Sequence, residues 1–446
     1  MSGVLWAAGI WAVTLGLWYW LDTRAGRSKA WLNRESVAVI LALLGTKAIA
    51  ANTSAEEILR DPAVIERIVR GGLAMLALLV AVPILIQRLR NPDRETGFRN
   101  LTVVVTYLGV LAVTTLYSAA PLVTGAKALE MGAGTAAVLA AAFAHDGRRR
   151  LRDMAVTVVV LEAALLIASI IGFFALPETF SRMDIRPGFL GELIMRAPWA
   201  HSNYLSAIGA LVASFALAWA LEAKAKSHRI FLIVLFLMGI SGTVLASGRQ
   251  GVIILLASVS VLLWFRRRVL FTIAIGPAIA VTLWLNWESA VEVFARGRPE
   301  NLLTLTGRVE WWQSALDAWV VHPWTGYGFG AGGRFVALAN IGRSQTSNVH
   351  SGYVETLVGV GLLGAIPLLL AVVIVAAWSL GALRDGRDVP FAIIIVPMAI
   401  HTSVAQGFGG WLNAEFVLLV CLVGITDWWR RDRRMTRTRS ELVGTA

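Results

Sequence analysis

His350 lies where a polar stretch gives way to an apolar one, in SNVHSGYVE, with Tyr353 one turn into the following helix. An imidazole there stands at the mouth of a membrane cavity. Its ordinary pKa, about 6.5, suits a general base near neutral pH. The alternative is a histidine that only ties a loop to a helix. Arginines crowd the same side of the apolar runs: Arg182, Arg186, Arg196, Arg249, Arg296, Arg298, Arg308, Arg334 and Arg343. A planar guanidinium grips phosphate through two parallel hydrogen bonds, so several around one cavity suit a diphosphate. Arg249, in SGRQG, ends one apolar run and starts the next, which puts it at the membrane boundary. Arginine is costly there and needs a partner. That partner is either a phosphate or a lipid headgroup reached by snorkelling. The preponderance of arginine, with five lysines among 40 basic residues, also fits a codon bias in a chain rich in alanine and glycine.

The remaining chemistry is sparse. His145 and His228 fall among basic residues and read as solvated surface. His201 precedes Ser202 and Asn203, which suit a helix cap. His322, in HPW, reads as a turn residue before proline, and His401 as a helix residue bonded to neighbouring backbone. Trp324–Gly333, WTGYGFGAGG, holds five glycines; it is a tight turn or a backbone nest for an anion, with the turn favoured. No Walker sequence, HExxH, GxSxG or carboxylate cluster at metal spacing occurs, which speaks against nucleotide, zinc or serine hydrolysis. Cys421, the sole cysteine, sits in an apolar run and excludes intramolecular disulfides and cysteine-based metal sites.

These residues must be positioned by apolar helices. The 446 residues are 57% hydrophobic and only 15% charged, against about 25% charged in a soluble domain. Apolar runs recur at the length needed to cross a bilayer. The expected fold class is therefore all-α: a single polytopic membrane domain over residues 1–446, with spans at 4–21, 36–51, 71–87, 101–118, 127–144, 154–176, 203–222, 230–247, 251–265, 269–286, 353–378, 390–405 and 412–427. Basic clusters mark every second connection, at Arg24–Lys29, Arg88–Arg99, Arg148–Arg152, Lys224–Arg229, Arg266–Arg268, Arg384–Arg387 and Arg430–Arg439. Those connections are expected in the cytoplasm. The C-terminus is then inside. Thirteen spans put the N-terminus outside, and twelve with both ends inside is the competing count. No basic residue precedes Trp6, which does not fit a cleaved signal peptide. The net charge of +12 is scattered between spans rather than gathered on one face, so nucleic acid is a poor partner.

The opposite connections face outward. Residues 52–70 begin with Ser54 three before Glu57, a capping-box pattern, and read as a short helix lying along the interface. Residues 177–202 carry arginines and His201. Residues 286–352 form the largest loop and bear the candidate catalytic region, and residues 430–446 form a basic tail disordered against anionic lipid.

TGRVEWWQSAL and HPWTGYGFG, followed by VHSGYVETLVGVGLLG, resemble the shared core of the O-antigen ligase and O-antigen polymerase superfamily. Its members carry an arginine, a tryptophan, a P-x-x-G-x-G turn, a histidine opening a helix, and G-x-x-G. Arg308, Trp312, Pro323, Gly326, Gly328, His350, Tyr353, Glu355, Gly361 and Gly364 occupy those places. Ser351 replaces the family's asparagine after the histidine, which weakens any role for that amide. SGRQG resembles the family's arginine at the end of the preceding hairpin, and HSNYLSAIG its N-x-L-A segment.

The resemblance implies a GT-C-like helical fold and an inverting, metal-independent glycosyl transfer at the outer face of the bacterial inner membrane, without a cofactor. His350 would be the catalytic base. Arg249, Arg308 and, more weakly, Arg196 would bind diphosphate, with Tyr353, Gly326 and Gly328 in support. The donor would be a glycan on undecaprenyl diphosphate and the acceptor lipid A–core, as in an O-antigen ligase. A polymerase extending lipid-linked O-antigen or exopolysaccharide, or an enzyme that O-glycosylates protein, shares the mechanism. A transporter of lipid-linked glycan is the reading from another class; it calls for ionisable residues deep in several spans, where Lys47, Glu162 and Glu415 are the main candidates and only Glu162 lies deep.

Overall fold

The computed structural model describes residues 34–47, 63–90, 99–188, 191–266, 307–343, 346 and 348–444. The expected spans at 4–21 and 269–286, the segment with Ser54 and Glu57, and Arg296 and Arg298 lie outside them. Twelve helices of ten residues or more carry the described fold: α1 (Arg34–Lys47), α2 (Ala63–Leu89), α3 (Leu101–Thr114), α4 (Pro121–Ala142), α5 (Gly147–Ala175), α6 (Ser202–Glu222), α7 (Lys226–Leu245), α8 (Arg249–Phe265), α9 (Arg308–Val321), α10 (Gly352–Asp385), α11 (Ile395–Val404) and α12 (Ala414–Gly444). Among the described residues, α5, α6, α7, α10 and Arg70–Leu89 of α2 are long and apolar enough to cross a membrane, with shorter apolar helices beside them. The protein is an all-α polytopic membrane protein.

Side-chain character sorts the helices by depth. The apolar half of α12, from Phe416 to Ile425, is almost wholly enclosed by protein. Helix α7 instead leaves Ile230, Ile233, Val234 and Leu237 exposed, as a lipid-facing helix does. The basic residues expected in the cytoplasm meet at one end of the bundle. Arg88 and Arg150 pair with Glu35, and Arg148 and Arg152 with Asp388. Arg266 reaches Glu222 at 3.3 Å, and Glu222 lies within electrostatic reach of Asp388.

Three segments differ from the sequence reading. Residues 177–202 contain an antiparallel hairpin, β1 (Ser181–Gly188) with β2 (Gly191–Met195), in which Ser181 faces Met195. The described part of residues 52–70 runs from Ala63 straight into α2, without a break between an interfacial helix and a span. The basic tail after Trp429 continues α12 as helix to Gly444; it holds no proline and no earlier glycine to stop it.

Helix α10 opens with Ser351, whose hydroxyl accepts from the Val354 N–H, and closes on Gly386 in the left-handed conformation. Between them the helix breaks at Gly361, with φ +60° and ψ −164°. A break inside a span strands backbone groups that lipid cannot satisfy. Here the turn Pro323–Gly328 fills it. Leu362 and Leu363 N–H donate to Pro323 O and Trp324 O at 2.8 and 3.1 Å, while Tyr327 and Gly328 N–H donate to Val358 O and Gly359 O at 3.0 and 2.8 Å. A side chain on Gly361 would overlap the Trp324 carbonyl, and one on Gly326 the Gly359 carbonyl. Gly386 provides the contrast: it has a similar φ, +64°, with open space around it. Gly386→Ala should lose about 1–2 kcal/mol to left-handed backbone strain, and Gly361→Ala more, because its ψ of −164° lies in a region that only glycine adopts readily. Only Gly361→Ala also drives the turn out of the break, so thermal unfolding in detergent should show the larger Tm loss for Gly361→Ala. Equal losses would contradict the docking of the turn.

Candidate active site

His350 enters the site through a constrained backbone. Its φ is +53°, a conformation that costs a non-glycine residue about 1–2 kcal/mol. Local bonds hold it there. The His350 N–H donates to Asn348 Oδ1 at 2.8 Å, and the Val349 N–H to Glu355 Oε2 at 3.2 Å. Glu355 is fully buried one turn into α10, so the helix that follows the histidine also anchors the strand before it. Helix α9 closes the other side. Trp312 Nε1 donates to Val349 O at 2.9 Å, and the Trp311 ring lies 5.4 Å from the imidazole, tilted by 32°. Arg308, Trp311, Trp312 and Ala315 recur at three- and four-residue spacing, which places them on one face of α9.

Arg308 begins α9 and is half-buried. Its Nη1 donates at 2.6 Å to Val404 O, a carbonyl at the end of α11 that the helix itself leaves unpaired. Burial pulls its pKa down. His350 feels three influences in the same direction. Burial, then the Arg308 charge, then His201, lower its pKa from 6.5 to about 4. At neutral pH the imidazole is therefore uncharged, with a lone pair free to accept a proton.

His201 is thus part of this site. It is the N-cap of α6, where Nδ1 accepts from the Asn203 N–H at 3.3 Å. Arg196 stands across from it, because Ala197 and Ala200 form an antiparallel bridge that brings the preceding and following residues side by side. Arg249 is the first residue of α8 and half-buried. Its neighbour Gln250 donates from Nε2 to Asn203 O at 2.7 Å, which ties the start of α8 to the start of α6. Gly251 makes this approach possible, since a side chain there would overlap Ser206. The beginnings of α6, α8, α9 and α10 therefore collect at the His350 end of the bundle. Each brings the partial positive charge of a helix start, the backbone counterpart of an arginine cluster.

Tyr353 is half-buried on α10, its ring edge-on to Phe408 at 5.8 Å. Gly326 and Gly328 serve the turn: their N–H groups donate to His322 O and Gly359 O. Those donors are spent on the backbone, which decides for a tight turn over an anion nest. His322 packs against the edge of Tyr327 within that turn, at 4.8 Å. His401 differs from expectation, because its Nδ1 bonds Glu415 at 2.7 Å rather than backbone. Sequence reading assigned no chemical role to His201, Trp311 or Glu355. A histidine directly before a helix start was the available signal for the first, and a glutamate one turn past the histidine for the last.

Residues 230–369 match the family model described as O-antigen ligase. The matched stretch holds Arg249, Arg308, the Pro323–Gly328 turn, His350, Tyr353, Glu355 and Gly361, so the resemblance read from the motifs holds there; Arg196 and His201 fall before it. A search of curated proteins gives no match.

The electrostatic coupling in this site is testable in the isolated protein. Removing a neighbouring positive charge makes protonation easier, so Arg308→Met should move the His350 titration upward from about 4. Nuclear magnetic resonance of isotope-labelled histidine reads this directly. An unchanged pKa would separate the two groups.

Proposed function

We propose that this protein is an inverting glycosyltransferase that moves a glycan from undecaprenyl diphosphate to the lipid A–core of lipopolysaccharide. The reaction would take place at the outer face of a bacterial inner membrane. One observation carries the reading: an uncharged, backbone-constrained His350 within electrostatic reach of the half-buried Arg308, where several helix beginnings meet. The match to the O-antigen ligase family model supports it.

In this reading an acceptor hydroxyl attacks the anomeric carbon from the face opposite the leaving group. His350 takes the hydroxyl proton as the new C–O bond forms. The anomeric carbon–oxygen bond to the diphosphate breaks, and its electron pair leaves with the lipid diphosphate. Arg308 and Arg249 face the charge that grows on the departing oxygen. Such pre-placed donors stabilise developing charge in a site sheltered from water, each by about 3 kcal/mol. Arginine supplies the positive charge in place of a metal. The bound diphosphate also raises the basicity of His350, since an adjacent anion favours the protonated imidazole. The base is then weak in the empty site and stronger when donor is present. A lipid-glycan transporter is less well supported, because Glu162 and Glu415, buried in spans, are engaged by Tyr204 and His401 rather than lining a passage.

Purified protein in lipid nanodiscs, given lipid-linked glycan with and without rough-type lipopolysaccharide, tests the reading. Product on lipid A–core that vanishes in His350→Ala is expected. Longer lipid-linked chains without lipopolysaccharide would instead identify a polymerase, and full activity in His350→Ala would remove the base. Replacing Arg308 or Arg249 by methionine should cost about 100-fold or more in kcat/KM. The pH profile has a fixed sign. Protonated His350 cannot accept a proton, so activity falls as pH drops through its pKa. In kcat/KM that limb should lie well below 6.5, near the free-site value of about 4. In kcat it should lie higher, because donor is bound.

A further inference from the structure

Helix α9 carries three different faces. One, with Trp311 and Trp312, clamps the His350 loop. A second exposes Val309, Leu316 and Val320, an apolar strip. The third lines a cleft of about 510 Å³ together with the turn after it, within the size range of small-molecule sites, about 300–1,000 Å³. Glu310, Gln313, Asp317, Tyr327, Asn340 and Ile341 line this cleft.

We infer that this cleft is a subsite for the sugar chain of a glycan, away from the reacting anomeric carbon. The lining chemistry selects the ligand class. No lysine or arginine lines it, and two carboxylates do, so it repels phosphate and cannot repeat the role of Arg308. Carboxylates accept from neighbouring hydroxyls, and the amides of Gln313 and Asn340 both donate and accept, which matches a dense array of sugar hydroxyls. Gln313 Nε2 donates to Asp317 Oδ1 at 3.1 Å, so these two side chains present their remaining groups in a fixed relation. The Ile341 side chain supplies apolar surface for the C–H face of a pyranose. The cleft opens to the protein surface, as a polymer requires. The Tyr327 hydroxyl donates to Ala318 O at 3.2 Å, which fixes the wall of the cleft to α9. The helix that holds the base thus also lines the cleft, on a different face. The source of the sugar chain, donor or acceptor, rests on the glycosyl-transfer reading above; the carbohydrate specificity of the cleft does not.

Two soluble oligosaccharides separate the sources: the core oligosaccharide freed from lipid A, and the glycan freed from its lipid diphosphate. Saturation-transfer magnetic resonance would follow each on wild type, on His350→Ala and on Asp317→Ala/Asn340→Ala. Asp317 and Asn340 are exposed, so the double variant should unfold at the wild-type Tm. One oligosaccharide should bind wild type and His350→Ala alike and bind the double variant at least tenfold more weakly. In turnover the double variant should raise KM for the lipid substrate bearing that oligosaccharide. Failure of both oligosaccharides to bind wild type, or equal binding by the double variant, would overturn the subsite. Binding that depends on Asp317 and Asn340 in a protein that transfers no glycan would keep the subsite and overturn the transferase reading.

Discussion

The break in α10 at Gly361 is the constraint on which the site depends. A span that stops being helical in the middle has carbonyl and N–H groups with no water to receive them. The Pro323–Gly328 turn supplies partners on both sides of the break, with backbone alone. That docking fixes α9 to α10 just beyond the turn, and α9 then fixes His350 through Trp311 and Trp312. A glycine at Gly361 lets the chain take the bend, and one at Gly326 lets the turn come close enough to use it.

Electrostatics follow from that placement. Arg308 is held by a stranded carbonyl at Val404, not by a carboxylate, so its charge is not cancelled by that contact. Burial first, and then this nearby positive charge, keep His350 neutral. At the other end of the bundle Arg148 and Arg150 are matched to acids, Asp388 and Glu35. There the fold uses arginine to lock helices together. At the His350 end, in the proposed reaction, that positive character serves the lipid diphosphate.

Much of this was readable in the sequence. Apolar length marked the five long membrane-crossing helices among the described residues, and basic connections marked helix ends that share a side, because both depend on composition alone. His350 and Arg249 stand out as candidates by residue type at a polar–apolar boundary, and Arg308 through the motif that resembles the family core. The break in α10 was not, since G-x-x-G also suits an unbroken helix packed closely on another. His201 was read only as part of a cap because its other effect, on His350, is made across the fold. The hairpin at 181–195 is hard to see in the sequence because its polar–apolar alternation is short and lies in a charged connection between spans. The tail after Trp429 was read by charge, while its lack of helix breakers decided its structure.

The central claim is that His350 and Arg308 share an anion-binding site. The direct measurement is the His350 titration with and without a short-chain polyprenyl diphosphate, followed by magnetic resonance on the intact protein. Bound diphosphate should draw the His350 pKa upward from about 4, because its negative charge offsets Arg308 and favours the protonated ring. A pKa that stays where it is at saturating diphosphate would place the anion elsewhere and contradict the site.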